Sequence, residues 1–93
     1  MEYEWDEAKQ VSNLWKHGID ISHAAEVFAG LSFTVVDDRR AYGEDRYQTT
    51  GYLEHELVMV IWTPRGGRRR IISVRRCNAN ERQGFEDRLG RSG

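Results

Sequence analysis

The stretch LVMVIWTPRGGRRRIISVRR, residues 57–76, decides the fold. Its first part, Leu57 to Trp62, is a continuous apolar run, which is typical of a strand buried in the centre of a sheet. Pro64 to Gly67 contains the chain's only proline and a Gly-Gly pair, which together indicate a hairpin turn. Arg69 to Arg75 places a β-branched apolar core between arginines and predicts the returning strand. We therefore expect an antiparallel hairpin at the centre of the protein.

Arginine dominates the second half of this stretch. Residues 65–76 hold six of the chain's twelve arginines, whereas the whole chain has two lysines. Guanidinium groups bind phosphate through a rigid, bidentate fork, so the segment indicates a polyanion-binding surface. Strict alternation along the strand would point Arg70 and Arg75 to opposite faces. The same segment can also be an exposed strand kept soluble by charge, or one paired with the acidic half of the chain.

The flanking segments complete an α+β pattern. Strands are predicted over Tyr3 to Trp5, Phe33 to Val36 and Arg46 to Tyr52, and residues 53–56 form a further hairpin turn. The order β-α-α-β-β-β-β-α predicts a small, mostly antiparallel sheet packed with two N-terminal helices and one C-terminal helix. Asp37 and Asp38 fall in the predicted loop between two strands and are interpreted as solvated.

Three helices are predicted from caps and stripes. Asp6 is the N-cap of the first helix, which runs to about Lys16 and stops at Gly18. Ser22 is expected to cap the second helix, and Asn78 or Asn80 the third. In the first helix the spacing of three apolar residues predicts the buried face, formed by Ala8, Val11 and Trp15.

Polar residues of the first helix form a second cluster. Lys9, Asn13, Lys16 and His17 lie at i, i+4, i+7 and i+8 and so share one helical sector beside the apolar stripe. A protonated His17 near the helix end suits a general acid. Basic residues are also ordinary C-terminal helix caps, so this alternative stays open.

Composition describes a globular protein that is strongly asymmetric in charge. The 93 residues predict one domain, 1–93, and include no apolar run long enough to span a membrane. Residues 1–64 carry five basic and twelve acidic side chains, whereas residues 65–93 carry nine basic and three acidic ones. The N-terminus lacks the basic and apolar regions of a signal peptide, so we expect a cytoplasmic protein. A basic face on a near-neutral body suits an anionic macromolecule or an acidic protein partner.

Few residues outside the arginine strand indicate chemistry. The single cysteine, Cys77, excludes an internal disulfide or a cysteine metal cluster and is expected to be buried. The sequence contains no metal-binding or phosphate-loop motif. Trp62 is expected in the core, and His23 and His55 are weak candidates for catalysis. Glu81, early in the last helix, can either pair with an arginine and orient it or serve as a base.

Several motifs in order resemble the BrnT family, the toxin halves of bacterial type II toxin–antitoxin modules. The matching stretches cover nearly the whole chain: EWDEAK at 4–9, Asn13, KHG at 16–18, the Ala-Ala-x-Val-Phe of the second helix, Arg46 with Gly51, and RGGRRRIISVRR at 65–76 followed by Glu81. Two positions depart from the family's usual pattern: Val74 stands for alanine and Phe85 for tyrosine. If the missing phenolic hydroxyl aids catalysis, Phe85 lowers activity.

The resemblance implies a RelE-like fold and a metal-independent endoribonuclease that needs no cofactor and arrests translation and growth by cutting RNA. It also implies neutralisation by a BrnA-type antitoxin, which binds DNA, in a heterotetramer that represses its own operon. On this reading the toxin itself touches DNA only through the antitoxin complex.

The expected reaction is attack of the RNA 2′-hydroxyl on the adjacent phosphorus, which gives a 2′,3′-cyclic phosphate. The candidates for binding phosphate and moving protons are Arg65, Arg70, Arg75, His17, Lys9 and Glu81. The candidates for further RNA contacts are Lys16, Arg68, Arg69 and Arg76. The alternative function is a non-catalytic nucleic-acid or protein-binding module whose arginine face docks an acidic partner.

Overall fold

The elements of the computed structural model follow the predicted order. The structure describes residues 2–92, with the side chains of residues 2–90. The strands are β1 (Glu2–Trp5), β2 (Ser32–Val36), β3 (Tyr47–Leu53), β4 (Glu56–Arg65) and β5 (Arg68–Arg76). The helices are α1 (Glu7–His17), a 3₁₀ turn (Ile21–His23), α2 (Ala24–Ala29) and α3 (Ala79–Ser92).

The five strands form one mixed sheet in the order β1-β5-β4-β3-β2. Strands β2 to β5 pair antiparallel as expected, and both residues of the β4–β5 turn, Gly66 and Gly67, have the positive φ that favours glycine. β1 instead pairs parallel with β5, so the sheet is mixed, and the predicted mostly antiparallel pairing is confirmed for β2 to β5. The α+β class is confirmed. No helix among residues 2–92 is long and apolar enough to cross a membrane.

A β-bulge interrupts β5. Ile61 of β4 lies opposite Ser73, but the next residue, Trp62, lies opposite Ile71, which leaves Ile72 as the extra residue. The bulge shifts the alternation, so that Ile71 and Val74 are both fully buried on one face of the sheet. The strict alternation predicted from sequence is therefore wrong for β5.

The two faces of the sheet carry separate cores. On the face that we call the α2 face, residues of the 3₁₀ turn and α2 cover the central strands, with Ile21, Val27 and Val60 at its centre. On the opposite face, the α3 face, Phe85 of α3 packs with Met59 and its neighbours on β4. Because both faces of β4 are buried, its continuous apolar run was a correct signal for a central strand. Trp62 and Cys77 are buried as predicted.

Helix α1 lies along the edge of β5 rather than on a core. Its caps are as predicted: Asp6 accepts a hydrogen bond from the Ala8 amide, and Gly18 ends the helix in the left-handed conformation. The predicted apolar face is wrong, because Ala8 is exposed and Val11 and Trp15 are 67% and 89% exposed.

The buried side chain of α1 is polar. One cap outside this helix also differs from the prediction. Asn13 is the residue of α1 that is buried. The cap predicted at Ser22 is also wrong, since Asp20 caps the 3₁₀ turn and Ser22 donates its amide to that carboxylate.

Candidate active site

An arginine–carboxylate pair anchors the candidate site where β5 meets α3. Arg75 Nη1 lies 2.8 Å from Glu81 Oε1, and Nη2 lies 2.7 Å from Oε2, a bidentate contact. Asn78 and Glu81 form a reciprocal N-terminal cap of α3: each backbone amide donates to the other's side chain at 2.8 Å. The carboxylate is thus fixed by the helix end, and it fixes the guanidinium in turn.

The hydrogen bonds of this pair keep both side chains ionised. The hydrogen bonds from Arg75 are the main cause that holds the pKa of Glu81 below its usual range, and they raise the pKa of Arg75 further. With both oxygens engaged, Glu81 is a poor base, whereas Arg75 is a permanent, oriented cation. Of the two roles predicted for Glu81, the structure contains the pairing with an arginine.

The bulge brings three polar residues of β5 onto the α3 face. In an antiparallel ladder, directly opposite residues point to the same face. Arg75 lies opposite Met59, and Arg70 lies opposite Thr63, so both arginines share the α3 face with Ser73. The prediction that Arg70 and Arg75 point to opposite faces is therefore wrong, because it assumed an unbroken strand.

Two lysines of α1 line a polar pocket beside the bulge. Lys9 and Lys16 face Ile72 and Ser73 of β5 across this pocket. Ser73 and Arg75 are two residues apart on one strand, so their Cα atoms are about 7 Å apart. The lysine pocket and the arginine–carboxylate pair are consequently neighbours on one surface.

Asn13 holds this surface together. It is 5% exposed. Its amide nitrogen donates to the Ile19 and Val74 carbonyls, and its Oδ1 accepts from the Val74 amide and the Ser73 hydroxyl. β1 pairs with β5 only as far as Ile71, so Asn13 replaces the missing strand at the bulge. The sequence grouped Asn13 with the lysines, but its contacts are those of a positioning residue.

The remaining arginines of the strand have separate surroundings. Arg70, with 26% of its side chain exposed, lies 3.9 Å from Glu4, and Arg68 lies 3.0 Å from Glu2. Arg76 pairs with the Glu56 carboxylate.

Arg69 points into the α2 face. Its guanidinium carbon is 4.0 Å from the centroid of the Phe28 ring and 5.1 Å from that of Trp62, and it donates to the Tyr3 hydroxyl. This surrounding separates Arg69 from the lysine pocket and from Arg75.

Three other residues named in the sequence analysis lie outside the lysine pocket and the arginine–carboxylate pair. Arg65 is exposed beside the Gly-Gly turn. His17 is half-buried, and its backbone carbonyl accepts a hydrogen bond from Arg76. Phe85 is 3% exposed and packs edge-on against Phe33. In residues 2–92 no group of three or more His, Cys, Asp or Glu side chains is arranged to hold a metal ion.

The β2–β3 loop contains an ion pair that the sequence did not predict. Asp37 is 3% exposed, so its interpretation as a solvated residue is wrong. Arg39 binds it at 2.7 and 2.8 Å, and these hydrogen bonds are the main cause that lowers the pKa of Asp37 to about 2. The charge of Arg39 also acts on Arg75 and Glu81. The available signal was an Asp-x-Arg spacing directly after a strand.

The chain belongs to the BrnT family. The family model described as the ribonuclease toxin, BrnT, of type II toxin–antitoxin systems matches residues 5–81. The match includes α1, the arginine strand and Glu81 and thus the whole candidate site. It confirms the family resemblance drawn from the sequence motifs, and with it an RNA substrate and an antitoxin protein as the partners that such a toxin requires. A search of curated proteins found no match.

Proposed function

We propose that this chain is a metal-independent endoribonuclease that cuts cytoplasmic RNA and thereby arrests translation and growth. The observation that carries the proposal is the oriented Arg75 cation beside the Lys9–Lys16 pocket, on one face of the sheet. Preorganised cations of this kind stabilise the charge that develops on a phosphate in the transition state without reorganisation during the reaction. We also propose that residues 1–93 form a single toxin domain and that its fold is RelE-like.

The reaction proposed is an internal transfer. The 2′-oxygen forms a bond to phosphorus as the bond to the 5′-oxygen breaks, which leaves a 2′,3′-cyclic phosphate and a 5′-hydroxyl. One group takes the 2′-hydroxyl proton, and another protonates the leaving oxygen. We assign these two roles to Lys9 and Lys16, which line the pocket, with His17, next to Lys16 in the sequence, as the alternative to either. Arg75 and Arg70 bind the phosphate, and Glu81 positions Arg75. Arg65 and Arg68 follow the RNA strand outside the reacting centre, whereas Arg76 lies opposite Val58 on the α2 face.

We also propose that the antitoxin is of the BrnA type and forms a heterotetramer through which the toxin contacts DNA. The support is the family membership, which requires an antitoxin.

The competing function, a binding module without catalysis, is favoured by one observation. Arg68, Arg70 and Arg76 pair with the chain's own carboxylates, as structural or docking arginines would.

The experiment is cleavage of a short RNA by the purified toxin in EDTA. We expect cutting that stops when the nucleotide 5′ to the scissile phosphate is replaced by its 2′-deoxy form. We also expect a cyclic phosphate on the 5′ fragment. Cutting of the 2′-deoxy substrate would contradict the mechanism. Binding without cutting of any RNA would favour the module.

A further inference from the structure

We propose that the cleft between α3 and strands β2 and β3 binds one nucleobase of the RNA, next to the phosphate held by Arg75. The proposal rests on the proposed function and adds to it a base-binding subsite. The cleft is open to solvent, has a volume of about 170 Å³ and lies on the α3 face. This volume is smaller than the roughly 300–1,000 Å³ of pockets for drug-sized ligands, so the cleft suits a single planar ring.

The walls of the cleft have the chemistry that a base requires. Its apolar lining comes from Phe33, Val35 and Met59 on the strands and from Phe85 on α3. The partly exposed ring of Phe33 offers a flat surface on which a heteroaromatic ring can stack, and Phe85 supports it edge-on from beneath. Gln48 also lines the cleft; its amide nitrogen donates toward the Asp37 carboxylate, and its second N–H and its oxygen can bond to a base edge.

The ladder confirms that these strand residues face the same way. Val35 lies opposite Gln48, Gln48 lies opposite Ile61, and Phe33 lies opposite Thr50. Opposite residues of an antiparallel pair share a face, so these side chains point to the α3 face with Met59. The cleft is thus a built feature of the sheet rather than a gap between loops.

Two arginines lie at the cleft, where a bound base would bring its phosphates. Glu81 lines one end of it, and the Arg75 guanidinium bound to Glu81 also lies 3.4 Å from Met59 Sδ, an atom of a cleft residue. Arg88 lines the cleft as well, with its guanidinium carbon 5.5 Å from the Phe33 ring centroid. Apolar walls with arginine at the rim suit a nucleotide better than an apolar peptide, which would gain nothing from the charges.

Gly84 offers a way to close the cleft. It lies on α3 at the cleft, and a Cβ atom built on it would meet no atom within 4 Å. A leucine at this position can therefore enter the cleft without a backbone clash. Gly90 lies further along the same helix, is exposed and has equally open space. Gly90→Leu is the matched control for the substitution itself.

The test measures binding of an RNA whose 2′-deoxy nucleotide prevents cutting. The base is removed at one position at a time, so that abasic and intact forms are compared. For the wild type we expect one abasic position near the scissile phosphate to weaken binding about tenfold or more, the range of base–aromatic stacking. Gly84→Leu should bind the intact and abasic forms equally, whereas Gly90→Leu should behave like the wild type.

A second variant covers the case in which Gly84→Leu does not fold. Gln48→Met keeps a side chain of similar length and removes the amide, so it should reduce the discrimination among the four bases at the sensitive position. Equal binding of intact and abasic RNA by the wild type would overturn the inference even if the RNA is cut. A position-dependent loss that Gly84→Leu abolishes would support it even if no RNA is cut.

Discussion

Arg69 and Arg75 lie on one strand but point to opposite faces of the sheet and have different contacts there. Arg69 stacks on aromatic rings of the α2 face, where the 3₁₀ turn and α2 close over the strands. Arg75 lies on the α3 face, which carries the lysine pocket and the cleft, and a carboxylate at a helix end orients its guanidinium. The comparison indicates that Arg69 serves the packing of the α2 face, whereas the α3 face carries both a core and the candidate site. An arginine-rich strand therefore does not amount to one basic surface.

The largest effect is expected for Arg75→Ala. Removing one preorganised donor to a developing charge typically costs about 10² to 10³ in rate, and we expect a loss in RNA cleavage of this size. Growth arrest in cells should be relieved, while the circular dichroism spectrum stays unchanged. Arg40→Ala is the control, because Arg40 is an exposed arginine in the β2–β3 loop.

Arg69→Ala gives the complementary result. Loss of its stacking should lower the free energy of unfolding by about 1–2 kcal/mol, with a much smaller effect on cleavage than Arg75→Ala. A loss of cleavage by the folded Arg69→Ala protein as large as that of Arg75→Ala would abolish the distinction between the two faces.

Asn13→Ala should lower stability more than Arg69→Ala does. The substitution leaves the Val74 amide and two carbonyls without the partner that Asn13 supplies, in buried surroundings. We expect a loss of about 3 kcal/mol in the free energy of unfolding, measured by urea denaturation. Asn80→Ala, at an exposed position of α3, should change it by less than about 0.5 kcal/mol. Similar losses in both variants would show that Asn13 does not hold the bulge.

The sequence predicted most of the fold because local signals and long-range packing agree. The apolar run of β4, the Gly-Gly turn and the caps Asp6, Gly18 and Asn78 each gave the correct element. The parallel pairing of β1 was missed because no turn connects it to β5. The buried face of α1 was missed because polar contacts, those of Asn13 with Val74 and of Gln10 with Trp5, join this helix to the sheet in place of an apolar stripe.

The candidate site was predicted by residue type but not by arrangement. Arginine composition indicated phosphate binding, and the family motifs selected Lys9, Lys16 and Glu81. The shared face of Arg70 and Arg75 depends on a one-residue bulge, which has no signature in a run such as IISV. The Asp37–Arg39 pair was missed since burial of a loop carboxylate follows from the tertiary fold.

The free energy of unfolding should fall in acid, because protonation of Asp37 breaks its ion pair with Arg39 in the β2–β3 loop. The carboxyl of Asp37 has a pKa of about 2 in the folded protein, below its ordinary value of 3.8, mainly because Arg39 donates hydrogen bonds to it. Its stabilising effect is therefore complete above about pH 4 and is lost as the pH falls toward 2. Urea denaturation should show this loss in the wild type and less of it in Asp37→Asn. An equal pH dependence in both proteins would exclude Asp37 as its source.

The smallest effect is expected for Lys16→Ala and concerns salt. If Lys16 contacts one phosphate of single-stranded RNA, its removal should reduce the slope of log affinity against log salt by about 0.7. Binding of the 2′-deoxy RNA at several salt concentrations measures this slope, with Arg40→Ala as the control that leaves it unchanged. Lys16 lines the pocket next to Ser73 on the α3 side of the bulge, so its contribution should persist in Arg69→Ala. An unchanged slope in Lys16→Ala would remove this lysine from the RNA path.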